Sequence, residues 1–138
     1  MAGGEDVSND LENNNKPSLD GVKATAKGYD LSQVLRVSRG NKGFVSSIIQ
    51  TFIVKTPIYI ERIVNSFESG SYEEMGEAAH QLKQSVYAMG VNSLRVPVMA
   101  IVLVGRNNKP DEDLPKHIAN LKQSAELVIQ ELKNDFGM

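Results

Sequence analysis

The sequence predicts an all-α protein, an antiparallel four-helix bundle with a short additional N-terminal helix. Three observations lead there. From Tyr29 onward, apolar residues recur every three or four positions in long segments, the period of helices that bury one stripe. No segment sustains the every-other-residue alternation of a half-buried strand. The periodic segments are joined by short stretches rich in Gly, Asn and Ser, and short connections make successive long helices antiparallel neighbours.

The elements follow in order. Residues 1–27 read as a disordered tail or linker, because the run from Asn9 to Pro17 has little apolar surface to offset its ordering entropy. The folded domain is expected over 28–138. A short first helix opens at Asp30 as N-cap, with Gln33 completing a capping box and Tyr29 and Val34 forming a hydrophobic staple. It stops near Arg39, Gly40 and Asn41. The second helix runs from Lys42 to Phe67 and buries Val45, Ile48, Ile49, Phe52, Ile60, Ile63, Val64 and Phe67. Pro57 lies inside it and removes one backbone hydrogen bond, so a kink is expected there.

Ser71 opens the third helix, with Glu74 three residues later as a second capping box, and Gly90 closes it. Its stripe is Met75, Ala78, Ala79, Leu82, Val86 and Met89. The fourth helix covers Ser93 to Arg106, with Val96-Pro97 disturbing its first turns. The last opens on Asp111, Glu112 and Asp113, acids placed where the helix dipole favours them, with Pro115 in its first turn. Leu114, Ile118, Leu121, Ala125, Val128, Leu132 and Phe136 form its stripe.

Composition narrows the function classes. A chain of 138 residues can build one domain with a real core. A net charge of -2 with scattered basic residues argues against a nucleic-acid partner. Without cysteine there is no disulfide, thiol chemistry or Cys-based zinc site. No apolar run approaches the length of a bilayer span, and the acidic N-terminus lacks the apolar stretch of a signal peptide. The expectation is a cytoplasmic protein without membrane insertion, monomeric because the bundle completes its own core.

His80 is the residue that points to chemistry. With Leu82 at the centre of the third helix's stripe, His80 lies roughly 160° away at about 100° per residue, on the solvent side. An exposed imidazole on a rigid helix suits a nucleophile, a proton carrier or a metal ligand. By the same angular reading Glu73, Gly76, Glu77, Gln84 and Tyr87 share its face, with Lys83 on the flank. Lys83 and Gln84 stand at i+3 and i+4, within reach of His80, and together offer a cation and an amide donor to an anion. Gly76, one turn back, opens the surface over the ring at a cost to the helix of up to roughly 1 kcal/mol. Glu73 and Glu77 otherwise read as a solvated acidic face. His117 falls about 40° from its own stripe centre, Leu121, at the edge of the core. Glu77-Ala78-Ala79-His80 is a Glu-x-x-His element, but a di-iron bundle needs two such elements and inward-facing ligands, so no metal is expected.

The segment Ala79-His80-Gln81-Leu82-Lys83-Gln84-Ser85-Val86-Tyr87-Ala88-Met89-Gly90 resembles the signature of histidine-containing phosphotransfer (HPt) domains. Upstream, Tyr29-Asp30-Leu31 and Phe52 followed by Pro57 also resemble that family, and the similarity spans about 29–135. The resemblance implies that His80 is the phosphoacceptor in a His-Asp phosphorelay. It would take a phosphoryl group from the phosphoaspartate of a receiver domain and pass it to another. Lys83 and Gln84 would stabilise the phosphoryl group, and Gly76, Glu77 and Tyr87 would line the docking surface. The implied partners are a response regulator receiver domain and a hybrid sensor histidine kinase. No cofactor is implied for this chain, Mg²⁺ belonging to the partner receiver. The sequence has no Gly-rich phosphate loop for ATP, so a phosphocarrier rather than an autokinase is expected. Two departures stand out: Gln84 occupies a position where the family usually has glycine, and Val102 and its neighbours lack the acidic residue common on the family's fourth helix. Gln84 keeps open an alternative, an adaptor bundle that docks a receiver or kinase domain without being phosphorylated.

Overall fold

The computed structural model describes residues 28–138; the tail expected over 1–27 lies outside the described residues. The segment leading into the first helix is anchored before any helix begins. Tyr29 is buried, and its hydroxyl donates to Asp135 Oδ2 at 2.6 Å. The Gly28 N–H donates to Glu131 Oε1 at 2.9 Å, and the Asp30 N–H donates to the Met89 carbonyl at 3.0 Å. Burial, the hydrogen bond to Asp135 and the nearby Asp135 and Glu131 charges raise the Tyr29 phenol pKa well above its ordinary value.

Helix α1 spans Ser32–Ser38. Its N-cap residue is Leu31, not Asp30, and the capping box with Gln33 does not form. Asp30 Oδ1 instead accepts from the Ser32 N–H and hydroxyl, the local turn that an aspartate makes with the backbone two residues on. Arg39 and Gly40 adopt positive φ and end the helix as expected. Asn41 caps α2 (Lys42–Glu68), its side chain accepting from the Phe44 N–H at 2.9 Å. The helix continues through Pro57 without a break. The expected stripe is buried at Val45, Ile49, Phe52, Ile60 and Ile63, and partly buried at Ile48, Val64 and Phe67.

By length and composition alone, helix α2 is long and apolar enough to cross a membrane. Lys55, Glu61 and Arg62 interrupt its apolar residues.

Helices α3 (Tyr72–Ala88), α4 (Asn92–Asn107) and α5 (Leu114–Phe136) complete the all-helical chain, with no strand among the described residues. Ser71 precedes α3 but does not cap it through its side chain, so the second capping box is also absent; its Oγ accepts from the Ser69 hydroxyl. Gly90, at φ 61°, closes α3, with the Val91 N–H donating to the Val86 carbonyl. Pro97 is accommodated within α4. The acids Asp111 to Asp113 precede α5 rather than occupy its first turn, and Asp111 Oδ1 accepts from the Asp113 N–H.

Helix α3 packs on α2 and on α4, α4 on α5, and α5 on α2, while α1 lies against α2. Four helices thus close on one another around a single cluster that includes Phe52, Ile63, Met75, Leu82, Ile101 and Leu121. Helices α3 and α4 approach each other closely. Gly76 and Gly105 face each other so tightly that a Cβ on Gly76 would stand 2.6 Å from the Gly105 Cα.

Candidate functional site

Helix α3 carries the site because its stripe is fully enclosed. Met75, Ala78, Ala79, Leu82 and Val86 are each 0% exposed, which fixes the helix about its axis and turns the opposite side outward. His80, Gln84 and Tyr87 are exposed on that side, at i, i+4 and i+7. Next to His80, Arg62 Nη1 donates to Gln81 Oε1 at 3.1 Å, tying α2 to α3.

His80 lines a shallow cleft of about 370 Å³ between α3 and α4, with Glu73, Gly76 and Glu77 on its own helix and Val102, Gly105 and Arg106 opposite. The expectation for Gly76 is corrected by this geometry. Gly76 is buried rather than solvent-facing. Its missing side chain does not simply uncover the ring; it lets the α4 backbone reach α3 at Gly105, and the two glycines form the cleft floor beside His80. Glu77 is exposed on the cleft wall, as the helical period requires.

Lys83 and Tyr87 are brought together. Lys83 is half-buried, and its Nζ lies 5.9 Å from the centroid of the Tyr87 ring, within the range of cation–π attraction. Lys83 makes no hydrogen bond to His80; its ammonium is directed along the helix toward Tyr87. Arg95, from the start of α4, lies over the same ring at 4.6 Å. Gln84 extends into solvent without a hydrogen-bond partner among the described residues. His117 is half-buried on α5, at the edge of the core. No group of three or more His, Asp or Glu side chains among the described residues is arranged to hold a metal ion.

Three residues of this region escape a single-helix reading of the sequence: Gly105, Arg106 and Arg95. A glycine inside an otherwise helical, apolar segment is a packing signal, and Gly105 carries it. The two arginines had no such signal, since their place beside His80 and Tyr87 depends on how α4 lies against α3. No protein-family model, curated protein or solved structure matches the chain.

Proposed function

We propose that this protein is a histidine phosphotransfer domain, an antiparallel four-helix bundle preceded by the short helix α1, which relays phosphoryl groups through His80. The observation that carries the reading is the placement of His80: exposed at mid-helix, on an α3 whose opposite side is wholly enclosed, and bordering an open cleft. The Ala79-His80-Gln81-Leu82-Lys83 segment and Gly90 add the resemblance to that family.

The chemistry follows from the residues present. A neutral imidazole nitrogen of His80 attacks the phosphorus of a receiver's phosphoaspartate. The N–P bond forms as the acyl-phosphate P–O bond breaks, and the aspartate carboxylate leaves. The reverse step delivers the group to a second receiver. Positioning and charge neutralisation are the protein's contribution: α3 holds the ring, and the Lys83 ammonium lies one turn along the same helix. Mg²⁺ is supplied by the receiver, and this chain needs no cofactor of its own. The partners are a response regulator receiver domain and a hybrid sensor histidine kinase, and the carrier acts as a cytoplasmic monomer.

Gln84 favours a second reading. It is an exposed side chain one turn from His80, where the resembled family has glycine, and an adaptor that docks a receiver or kinase without accepting phosphate would tolerate it. Incubation with a receiver domain phosphorylated on its aspartate separates the two. Transfer should place an alkali-stable, acid-labile label on this protein, and His80→Gln should abolish it with helicity unchanged. Label persisting in His80→Gln would exclude the acceptor, and binding without label would establish the adaptor.

A further inference from the structure

Arg95 has no role in the chemistry derived so far, and its surroundings are unusual for a surface arginine. Its guanidinium carbon lies over the Tyr87 ring, 4.6 Å from the centroid. It makes no ion pair with any carboxylate among the described residues. It stands near the N-terminal end of α4, where the helix dipole disfavours a cation, so helix stability does not account for it. Lys83 approaches the same ring from α3. Two cations therefore gather on one aromatic, two helical turns from His80, with no ion pair to a carboxylate among the described residues.

We infer that Arg95, held on Tyr87, is a docking anchor that binds a carboxylate on the surface of the partner receiver domain. The inference rests on the relay reading of His80 and adds to it a residue that recognises the partner without touching the transferred group. Arg95 is exposed, and a guanidinium held over a ring face still has N–H donors to offer a carboxylate, which it can grip through two parallel hydrogen bonds. The contact with the ring also limits the rotamer freedom lost on binding. Val96, the next residue, is 71% exposed, so an apolar side chain neighbours the cation. The complementary partner presents an acidic side chain beside an apolar one. Tyrosine and arginine side by side are also the residue types that dominate binding energy at interfaces.

The test uses the whole chain and a receiver domain loaded on its aspartate with acetyl phosphate, with phosphoramidate as a small phosphodonor that needs no docking surface. Arg95→Ala should raise the receiver concentration giving half-maximal transfer by about tenfold, leaving the transfer rate at saturation within about twofold and phosphoramidate labelling of His80 unchanged. Arg95→Lys should recover only part of the loss, because the charge returns without the planar fork. Tyr87→Phe, which keeps the ring, should behave as wild type, and Tyr87→Leu should weaken half-saturation by about threefold. Added salt should weaken the wild type more than Arg95→Ala. Transfer with unaltered half-saturation in Arg95→Ala would overturn the anchor while leaving the relay standing. A fall in phosphoramidate labelling in that variant would also overturn it. Phosphoramidate labelling of His80 with no transfer from receivers would overturn both the relay and the anchor.

Discussion

Replacing Gly76 with alanine gives opposite results according to where Gly76 sits. If it faced solvent, as the helical period alone implies, alanine would stabilise α3 by about 1 kcal/mol through its better helix propensity. In the structure the new Cβ stands 2.6 Å from the Gly105 Cα, well inside the 3.4 Å at which ordinary contact begins. The obstacle is backbone, which cannot rotate aside as a flexible side chain would. Forcing a methyl group into such a contact costs about 3 kcal/mol, the upper end of the range for overpacking. Set against the propensity gain, the net loss is about 2 kcal/mol. At about 4 °C per kcal/mol for a domain of this size, the melting temperature should fall by about 8 °C. Thermal unfolding followed by far-ultraviolet circular dichroism measures this directly. Gly43 provides the control, since a Cβ there meets only Asn41 Oδ1 at 3.4 Å; Gly43→Ala should stabilise by about 0.5 kcal/mol. A Gly76→Ala protein that melts at or above the wild-type temperature would refute the close approach of α3 and α4, and with it the cleft floor beside His80.

Further outcomes follow from the buried polar groups. The folded state holds the Tyr29 proton more tightly than the unfolded chain, whose phenol titrates at its ordinary value of 10.0. Stability from this source is therefore complete below pH 10 and declines as pH rises past it, by up to about 1.4 kcal/mol per pH unit. Tyr29→Phe should cost about 1–2 kcal/mol at pH 7 through the lost hydrogen bond to Asp135, and should lack that alkaline decline; urea unfolding at pH 7 and pH 11 checks both, and equal pH slopes in the two proteins would contradict it. Thr56 Oγ1 is buried without a hydrogen-bond partner among the described residues, so Thr56→Val should be neutral or stabilising by up to about 1 kcal/mol. A clear loss of stability in that variant would mean the hydroxyl has a partner in solution.

The stripe of α3 and the outward direction of His80 were legible because both depend on one helix and its period. Leu82 buried and His80 exposed are two consequences of the same rotation. Gly76 was misjudged because a helical period reports only the direction in which a position points. Whether a second helix covers that position depends on its partner, and here the partner is Gly105, far along the chain. The capping boxes failed for a related reason. Asp30 and Ser71 have the right side chains and spacing, but each is engaged with a serine two positions away, because the loop before each helix sets where the cap side chain can reach. Gly90 succeeded since a positive-φ terminus is a demand on one residue alone. Lys83 lies between these cases: its face was legible, and its orientation toward Tyr87 was not.

These differences separate two kinds of part in the candidate site. His80 is held in place: it is flanked in sequence by buried Ala79 and, one residue further, Leu82, its neighbour Gln81 is tied to α2 through Arg62, and the glycine contact joins α3 to α4. The charged groups around it are carried on long side chains at the surface, Lys83 and Arg95 on the Tyr87 ring and Arg106 on the far wall of the cleft. The proposed phosphoryl carrier would use that division. The attacking nitrogen must stand where an incoming acyl phosphate can reach it in line, which rewards a fixed ring. The cations must serve one arrangement when the ring is bare and another when it bears a dianion, which rewards side chains that can move. On the proposed relay, Lys83 would leave the aromatic face for the phosphoryl oxygens while Arg95 kept its place on Tyr87, so that neutralising the transferred group would not release the partner.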